Sequence, residues 1–359
     1  MKTVCIFGAG ASKLAGAPLM TEFLDKAEEL HRRKIKGITE AKAEFEDVLD
    51  ALSELQAVYA KSYLSTDNIE TLFGAIEMAQ ILKKFGQRTP EKITGLKSSI
   101  ITLIVKTIEH SMEFPHDEYR VSPPEPYNNF GAMLKRVKDH YLDRVPASFL
   151  SFNYDLGLDY ALHFYGIPFD YCLSGSGSAN GSPYLKLHGS INWGACQKCK
   201  MIVPWGVGEA RFGPFFDKGH VIFDLGTNID RKQHCLDPLL TPPVLVPPTW
   251  NKTEYHQGLS QVWAKAAEEL AAAETIIIIG YSLPETDSFF RYLFALGTEG
   301  ATRIKRFLVI NPDNEYKNEG KVEERFRSII GRGIEHRCEF KRQKFEDSID
   351  LIEKELMKP

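Results

Sequence analysis

Short apolar runs, each closed by glycine, serine, asparagine or histidine, recur along this chain between stretches of helical periodicity. Thr3 to Phe7 is such a run, ended by Gly8-Ala9-Gly10. A continuous apolar run of this length suits a strand covered on both faces, as in a parallel sheet. The pattern returns from Ala147 to Phe152, Tyr184 to Leu187, Thr275 to Ile279 and Arg306 to Ile310. Ile167 to Cys172, Val244 to Val246 and Cys338 to Arg342 read as further strands, the second stopped by Pro247-Pro248.

Helical spacing fills the gaps. Met20 to Arg33 carries Phe23, Leu24, Ala27 and Leu30 on one side. From 40 to 142 no strand is evident: Phe45, Val48, Leu49, Leu52 and Leu55 form one helical stripe, and Ile69, Leu72, Phe73, Ile76 and Met78 another. Ile100 to Met112 and Phe130 to Tyr141 complete a predicted helical module inserted after the first strand and helix. Helices are also predicted after Asp155, over Trp263 to Ala273, over Ser288 to Leu296, and over Phe345 to Met357, which would cover one sheet face. Residues 174 to 182 form a glycine- and serine-rich loop or hairpin tip, and 194 to 243 read as loop-rich. The fold class is therefore α/β, with an open parallel sheet. One domain spans 1–39 and 143–359, interrupted by a helical insertion at 40–142.

Composition adds boundaries. At 359 residues, 43% hydrophobic and 26% charged, the chain has the make-up of a soluble globular protein. A net charge of −4 gives no electrostatic case for nucleic acid or a membrane surface. No signal peptide is expected at Met1, and the apolar run Thr275 to Gly280 is too short to span a bilayer. Six cysteines over this length suggest reduced thiols in a cytoplasm, with Cys5 and Cys172 in the core.

The candidate chemistry sits where strands end, and in an open α/β sheet that is where ligands bind. Gly8-Ala9-Gly10-Ala11-Ser12 can bring backbone N–H groups to a diphosphate, or can be a plain tight turn. It is no Walker loop, because no Gly-Lys-Ser/Thr follows. Asn153 and Asp155 can together grip a carboxamide and orient a ribose or a water; alternatively Asp155 closes an Asx turn and caps the next helix. His188, in Lys186-Leu187-His188-Gly189-Ser190-Ile191-Asn192-Trp193, can act as a base or hold a ribose hydroxyl. Gly280-Tyr281-Ser282 offers a hydroxyl to a phosphate or ribose, and Asn311 can reach an adenosine ribose. Together these strand-end clusters describe one nucleotide site.

In this order the motifs resemble the sirtuin family, and within it the bacterial sirtuin-like NADases of anti-phage defence. The matching pieces are Gly8 to Ser12, Asn153-Tyr154-Asp155, Leu187 to Trp193, Val246-Pro247-Pro248-Thr249, Gly280-Tyr281-Ser282-Leu283-Pro284 with Asp287, and Ile310-Asn311-Pro312. The resemblance implies a Rossmann-like parallel sheet of sirtuin type that takes NAD as substrate. It implies Gly8, Ala9, Gly10 and Ser12 at the phosphates, and Asn153 and His188 at the nicotinamide ribose. It puts Asp155 near the nicotinamide amide, and Gly280, Ser282 and Asn311 along the adenosine half. Sirtuin deacylases also carry a strand-addition groove for an acyl-lysine peptide. At its place this chain has Val246-Pro247-Pro248-Thr249-Trp250, whose prolines lack N–H donors. The expected acceptor is therefore water, giving nicotinamide and ADP-ribose. A protein deacylase, an ADP-ribosyltransferase and a non-catalytic NAD or ADP-ribose sensor are the alternatives; retention of Asn153 and His188 argues against the sensor.

Cys196-Gln197-Lys198-Cys199 has the spacing of a zinc knuckle. The family pattern completes it with a second CxxC, where this chain offers only His234 and Cys235. Adjacent residues rarely converge on one metal, so the expectation is a residual metal-free loop, with Cys196, Cys199 and Cys235 as the zinc candidates. Trp193 and Trp250 sit beside motifs and can line the pocket or belong to the core. Unregulated NAD cleavage would be toxic, so a homo-oligomer or a defence-system partner protein is expected to control it.

Overall fold

A computed structural model describes residues 2–57, 64, 66, 68–117, 120–173, 181–209, 216–217, 220–246, 256–285, 287–298, 303–313 and 321–358. Seven strands form the main sheet: β1 (Thr3–Phe7), β2 (Ala147–Ser151), β3 (Phe169–Asp170), β4 (Ser182–Lys186), β5 (Thr275–Ile279), β6 (Arg306–Ile310) and β7 (Cys338–Lys341). Their spatial order is β7-β6-β5-β1-β2-β4-β3, and every neighbouring pair is parallel. The fold is thus the α/β, Rossmann-like parallel sheet expected. From β1 the chain builds one flank through β4, then crosses back to lay β5 on the other side. That reversal opens a crevice beyond the carboxyl ends of β1 and β5.

Register makes the crevice a shared one. Phe7 pairs with Ile279 and with Ser151, Ser151 with Lys186, and Ile279 with Ile310. Gly8, Phe152, Leu187, Gly280 and Asn311 therefore emerge side by side. The β1 and β5 side chains are all buried, which is why their sequences are apolar without alternation.

Helices Tyr127–His140 and Ile349–Leu356 pack together beside the sheet. Phe130 meets Phe7 at 5.5 Å and Phe345 at 5.4 Å between ring centroids, binding helix to sheet. The helix predicted at the end of the insertion thus belongs to the sheet. Conversely, helix Phe23–Arg32, expected with the sheet, packs on Lys42–Ala57 and Pro90–Ser111. These last two helices and Ile69–Leu82 form the body of the helical module.

Two small antiparallel sheets correct the expectation of loop between 194 and 243. Gln233–His234, Asp237–Leu240, Trp193–Cys196 and Ile202–Pro204 make one. Phe114–Pro115, His220–Val221 and Phe216–Asp217 make the other, so the 40–142 segment does contribute a strand. Strands of two to four residues are too short to display alternation. Val244 to Val246 forms no regular strand; Leu245 bridges Gly189. Among the described residues no helix is long and apolar enough to cross a membrane.

Candidate active site and metal centre

The loops after β1 and β5 touch without side chains between them. Gly10 N–H donates to Gly280 O at 2.9 Å, and a Cβ on Gly8 would lie 2.5 Å from Tyr281 Cα. Gly280 itself has φ +60, and a Cβ there would sit 2.2 Å from Ala11 N. Both glycines are required by this approach, whatever ligand is present.

Behind these loops lies a buried polar hub. Asn153 Nδ2 donates to Gly8 O at 3.0 Å and to Ser12 Oγ at 2.9 Å. Ser12 Oγ donates to Asp155 Oδ2 at 2.6 Å, so Tyr127, 2.7 Å away, must be the donor to Ser12. Asp155 Oδ1 accepts from Gly157 N at 2.9 Å, the Asx turn foreseen as one option. Beneath it Lys186, wholly buried, donates to Asp155 O at 2.6 Å and pairs with Asp159 at 3.1 Å. Tyr184 and Tyr171 also donate to Asp159. Burial raises the Asp155 carboxyl above its ordinary range, against the pull of Lys186 and the Ser12 hydrogen bond. Burial, reinforced by the charge of Asp155, holds the Tyr127 phenol well above 10, keeping it a donor. With both Nδ2 hydrogens engaged, Asn153 can offer a ligand only Oδ1.

His188, after the neighbouring strand, is buried, with Nε2 3.8 Å from Asp287 Oδ2. Phe152 packs edge-on to the His188 ring at 5.1 Å and stacks on Tyr281 at 4.4 Å. Tyr281 Oη donates to Asp287 Oδ2 at 2.6 Å. Asn311 donates to Tyr281 O at 3.3 Å and accepts from Asp313 N at 3.0 Å, leaving its second Nδ2 hydrogen for a ligand.

These residues wall a cavity of about 890 Å³. Of the positions singled out in the sequence, Ala9, Gly10, Asn153, His188, Gly280, Ser282 and Asn311 line it. Gly8, Ser12 and Asp155 do not: Gly8 is the contact beneath Tyr281, while the Ser12 and Asp155 side chains are spent on each other and on Asn153, Tyr127 and Gly157. Trp193 is wholly buried against Tyr171 and belongs to the core, while Cys172 is only half-buried. The Pro247 to Trp250 segment, on which the missing peptide groove was argued, lies outside the described residues, as do 174–180. The preceding Val244 and Val246 N–H groups are taken by Trp193 O and His188 O. Sequence reasoning gave no role to Phe152, Tyr281 or Tyr127, whose aromatic character reads as core. A second cavity, about 610 Å³, opens at the opposite end of the sheet beside Lys2, Ser148 and Glu269 and contains none of the predicted residues.

The zinc candidates do converge, contrary to the expectation that adjacent His234 and Cys235 would not share a site. Cys196 Sγ, Cys199 Sγ, Cys235 Sγ and a His234 ring nitrogen all lie within 4.8 Å of one another. His234 ends a strand that pairs with Asp237, and the two-residue turn between them, Cys235-Leu236, has φ 53 and 69. This tight hairpin turn swings Cys235 back beside the residue before it, so neighbours in sequence do converge. Cys196 N–H and Lys200 N–H close the facing knuckle through Met201 O and Cys196 O. Hydrogen bonds from the Cys199 backbone and from His234 draw the Cys196 thiol down to about 6, while its contact with Cys199 pushes Cys235 up to about 11. Three sulfurs and one imidazole nitrogen fit four-coordinate zinc.

No family model matches this chain, and no curated protein matches it. Among solved structures, a Sir2 homologue mutant in complex with ADP-ribose aligns over 99% of this chain and 91% of its own, at 13% identity and a TM-score of 0.44. A Sir2 homologue–NAD complex aligns over 99% and 89%, at 13% identity and 0.41. Superposition at that level says nothing of activity; the fold stands on the strand order and register.

Proposed function

We propose that this chain hydrolyses NAD to nicotinamide and ADP-ribose in the crevice beyond β1 and β5. One observation carries the reading: seven residues chosen from separate strand ends line a single cavity at the switch point of the sheet. Its volume, about 890 Å³, is in the range of small-molecule sites. Gly10 and Gly280 keep the phosphate end free of side chains, while Ser282 and Asn311 offer hydroxyl and amide to the adenosine ribose. Breaking the nicotinamide–ribose bond passes through an oxocarbenium-like state. Asn153 Oδ1 presents a partial negative charge to it, and its orientation is fixed in advance by Gly8 and Ser12. His188 takes the proton of the attacking water. Asp155 acts through Ser12 and Asn153 rather than by touching substrate. The Cys196–Cys199–His234–Cys235 centre would hold zinc, which supplies folding energy to the small sheet and no chemistry to the crevice.

Resemblance of the motifs supports a cytoplasmic role as a bacterial anti-phage effector that lowers NAD when triggered. Control by self-association or by a partner protein belongs to the same reading. The test is chromatography of NAD incubated with the purified chain, with and without an acyl-lysine peptide. Equal nicotinamide and ADP-ribose without peptide is the expected result. Nicotinamide released only with peptide would make the chain a deacylase, and intact NAD with tight ADP-ribose binding would make it a sensor.

A further inference from the structure

Asp287 occupies the N-cap position of helix Ser288–Gly297, where an aspartate commonly accepts from the first backbone N–H groups. Its side chain makes no capping hydrogen bond. The buried carboxylate turns instead toward the crevice wall, where Oδ2 accepts from Tyr281 Oη and faces His188 Nε2. Phe152 packs against both the His188 and Tyr281 rings, so the aromatic wall fixes all three partners relative to one another.

We propose that Asp287 is a positioning residue for His188, setting the ring's orientation and favouring its protonated form as NAD is cleaved. This rests on the hydrolase reading above. In the step, the water oxygen bonds to ribose C1′ while the C1′–N bond breaks, and that electron pair passes to the nicotinamide nitrogen and cancels its positive charge. The water's proton moves to His188 and then to solvent, so NAD+ and water yield nicotinamide, ADP-ribose and a proton. The imidazolium formed in passing lies beside the Asp287 carboxylate, an attraction that exists only once the proton has moved. Tyr281 keeps the carboxylate oriented. Burial first, then the charge of Asp287, holds its phenol well above 10, so it remains a donor.

Other groups share this wall. Tyr154 approaches the His188 ring at 6.2 Å, and Glu70 and Arg291 act on Tyr281 through their charge. Lys13, Glu285, Lys321, Arg325, Lys344 and Glu346 line the same cavity, and among the described residues Asp287 lies at ion-pair distance from His188 Nε2. Asp287 should therefore govern His188 more than they do.

The test uses Asp287→Asn and Asp287→Ser. Both residues are good N-caps, so the helix start survives in at least one of them. His188 titration is followed by nitrogen-15 NMR on the ligand-free chain, its signal assigned by loss in His188→Ala. Expected is a midpoint lower by about one pH unit in the variants. The kcat for NAD should fall about 100-fold with KM little changed, and the acidic limb of the pH–rate profile should move down with the midpoint. An unmoved His188 midpoint overturns the proposal whether or not the chain cleaves NAD. A higher KM at unchanged kcat also overturns it, by making Asp287 a substrate contact. A lowered midpoint in a chain that leaves NAD intact upholds the Asp287–His188 coupling while the hydrolase reading falls.

Discussion

The hub behind the crevice and the knuckle at Cys196 both gather polar groups at chain reversals, yet one is a closed network of hydrogen bonds and the other a cluster of metal-ligand types. At the hub, Ser12 accepts from Asn153 and Tyr127 and donates to Asp155, while Lys186 answers Asp159 and the Asp155 carbonyl. Every partner there is another protein group, so the Asn153 side chain is held ready before any ligand arrives. At the knuckle, three thiols and an imidazole face one another, and hydrogen bonds lower the Cys196 thiol. Such a set could hold a cation. Preorganisation for a ligand that comes and goes is therefore built from protein hydrogen bonds, whereas a permanent fastening can be left to an ion.

The largest effect that would break this comparison lies at the knuckle. Purified chain should carry about one zinc, because structural zinc contributes roughly 10–16 kcal/mol in small motifs. Elemental analysis checks this, and Cys196→Ser should abolish it together with amide protection of the small sheet. Full protection in a zinc-free Cys196→Ser protein would show that the knuckle is complete without metal.

Next in size is the hub's own ion pair. Lys186→Ala strips the cation from wholly buried Asp159, and breaking such a pair costs about 3–5 kcal/mol. Denaturant unfolding measures it. A loss below about 1 kcal/mol would mean that the tyrosines alone satisfy Asp159.

The smallest effect is a pH slope. The folded Asp155 carboxyl lies above its unfolded value of 3.8, so it binds its proton more tightly in the folded chain. Its contribution to stability is fully present below pH 3.8 and is lost as pH rises through the folded value. Wild type should therefore lose stability relative to Asp155→Asn over that window. A parallel pair of stability curves would show that Lys186 and Ser12 offset the burial of the charge entirely.

Much of the crevice was legible because parallel strands buried on both faces leave unbroken apolar runs. The residue that ends each run, Gly8, Asn153, His188, Gly280 or Asn311, then stands out. What the sequence hides are partners brought from afar. Tyr127 completes the Ser12 hub from 115 residues away and looks like any core aromatic. Asp287 stands in the sequence only as part of a matching motif without a role, and its place near His188 shows only in the geometry. The convergence of His234 and Cys235 depends on a tight turn at Cys235-Leu236 that lacks the usual Asn-Gly signature. That helix Phe23–Arg32 packs on the helices of the 40–142 segment was not legible, because periodicity identifies an apolar face without naming what covers it.

The central claim is that Asn153 and His188, which line one cavity, cleave NAD. Its most direct test is nicotinamide release from NAD by wild type, Asn153→Ala and His188→Ala, each checked for intact folding. The account predicts release by wild type and a loss of at least about 100-fold in both variants. Undiminished release from either folded variant would contradict it.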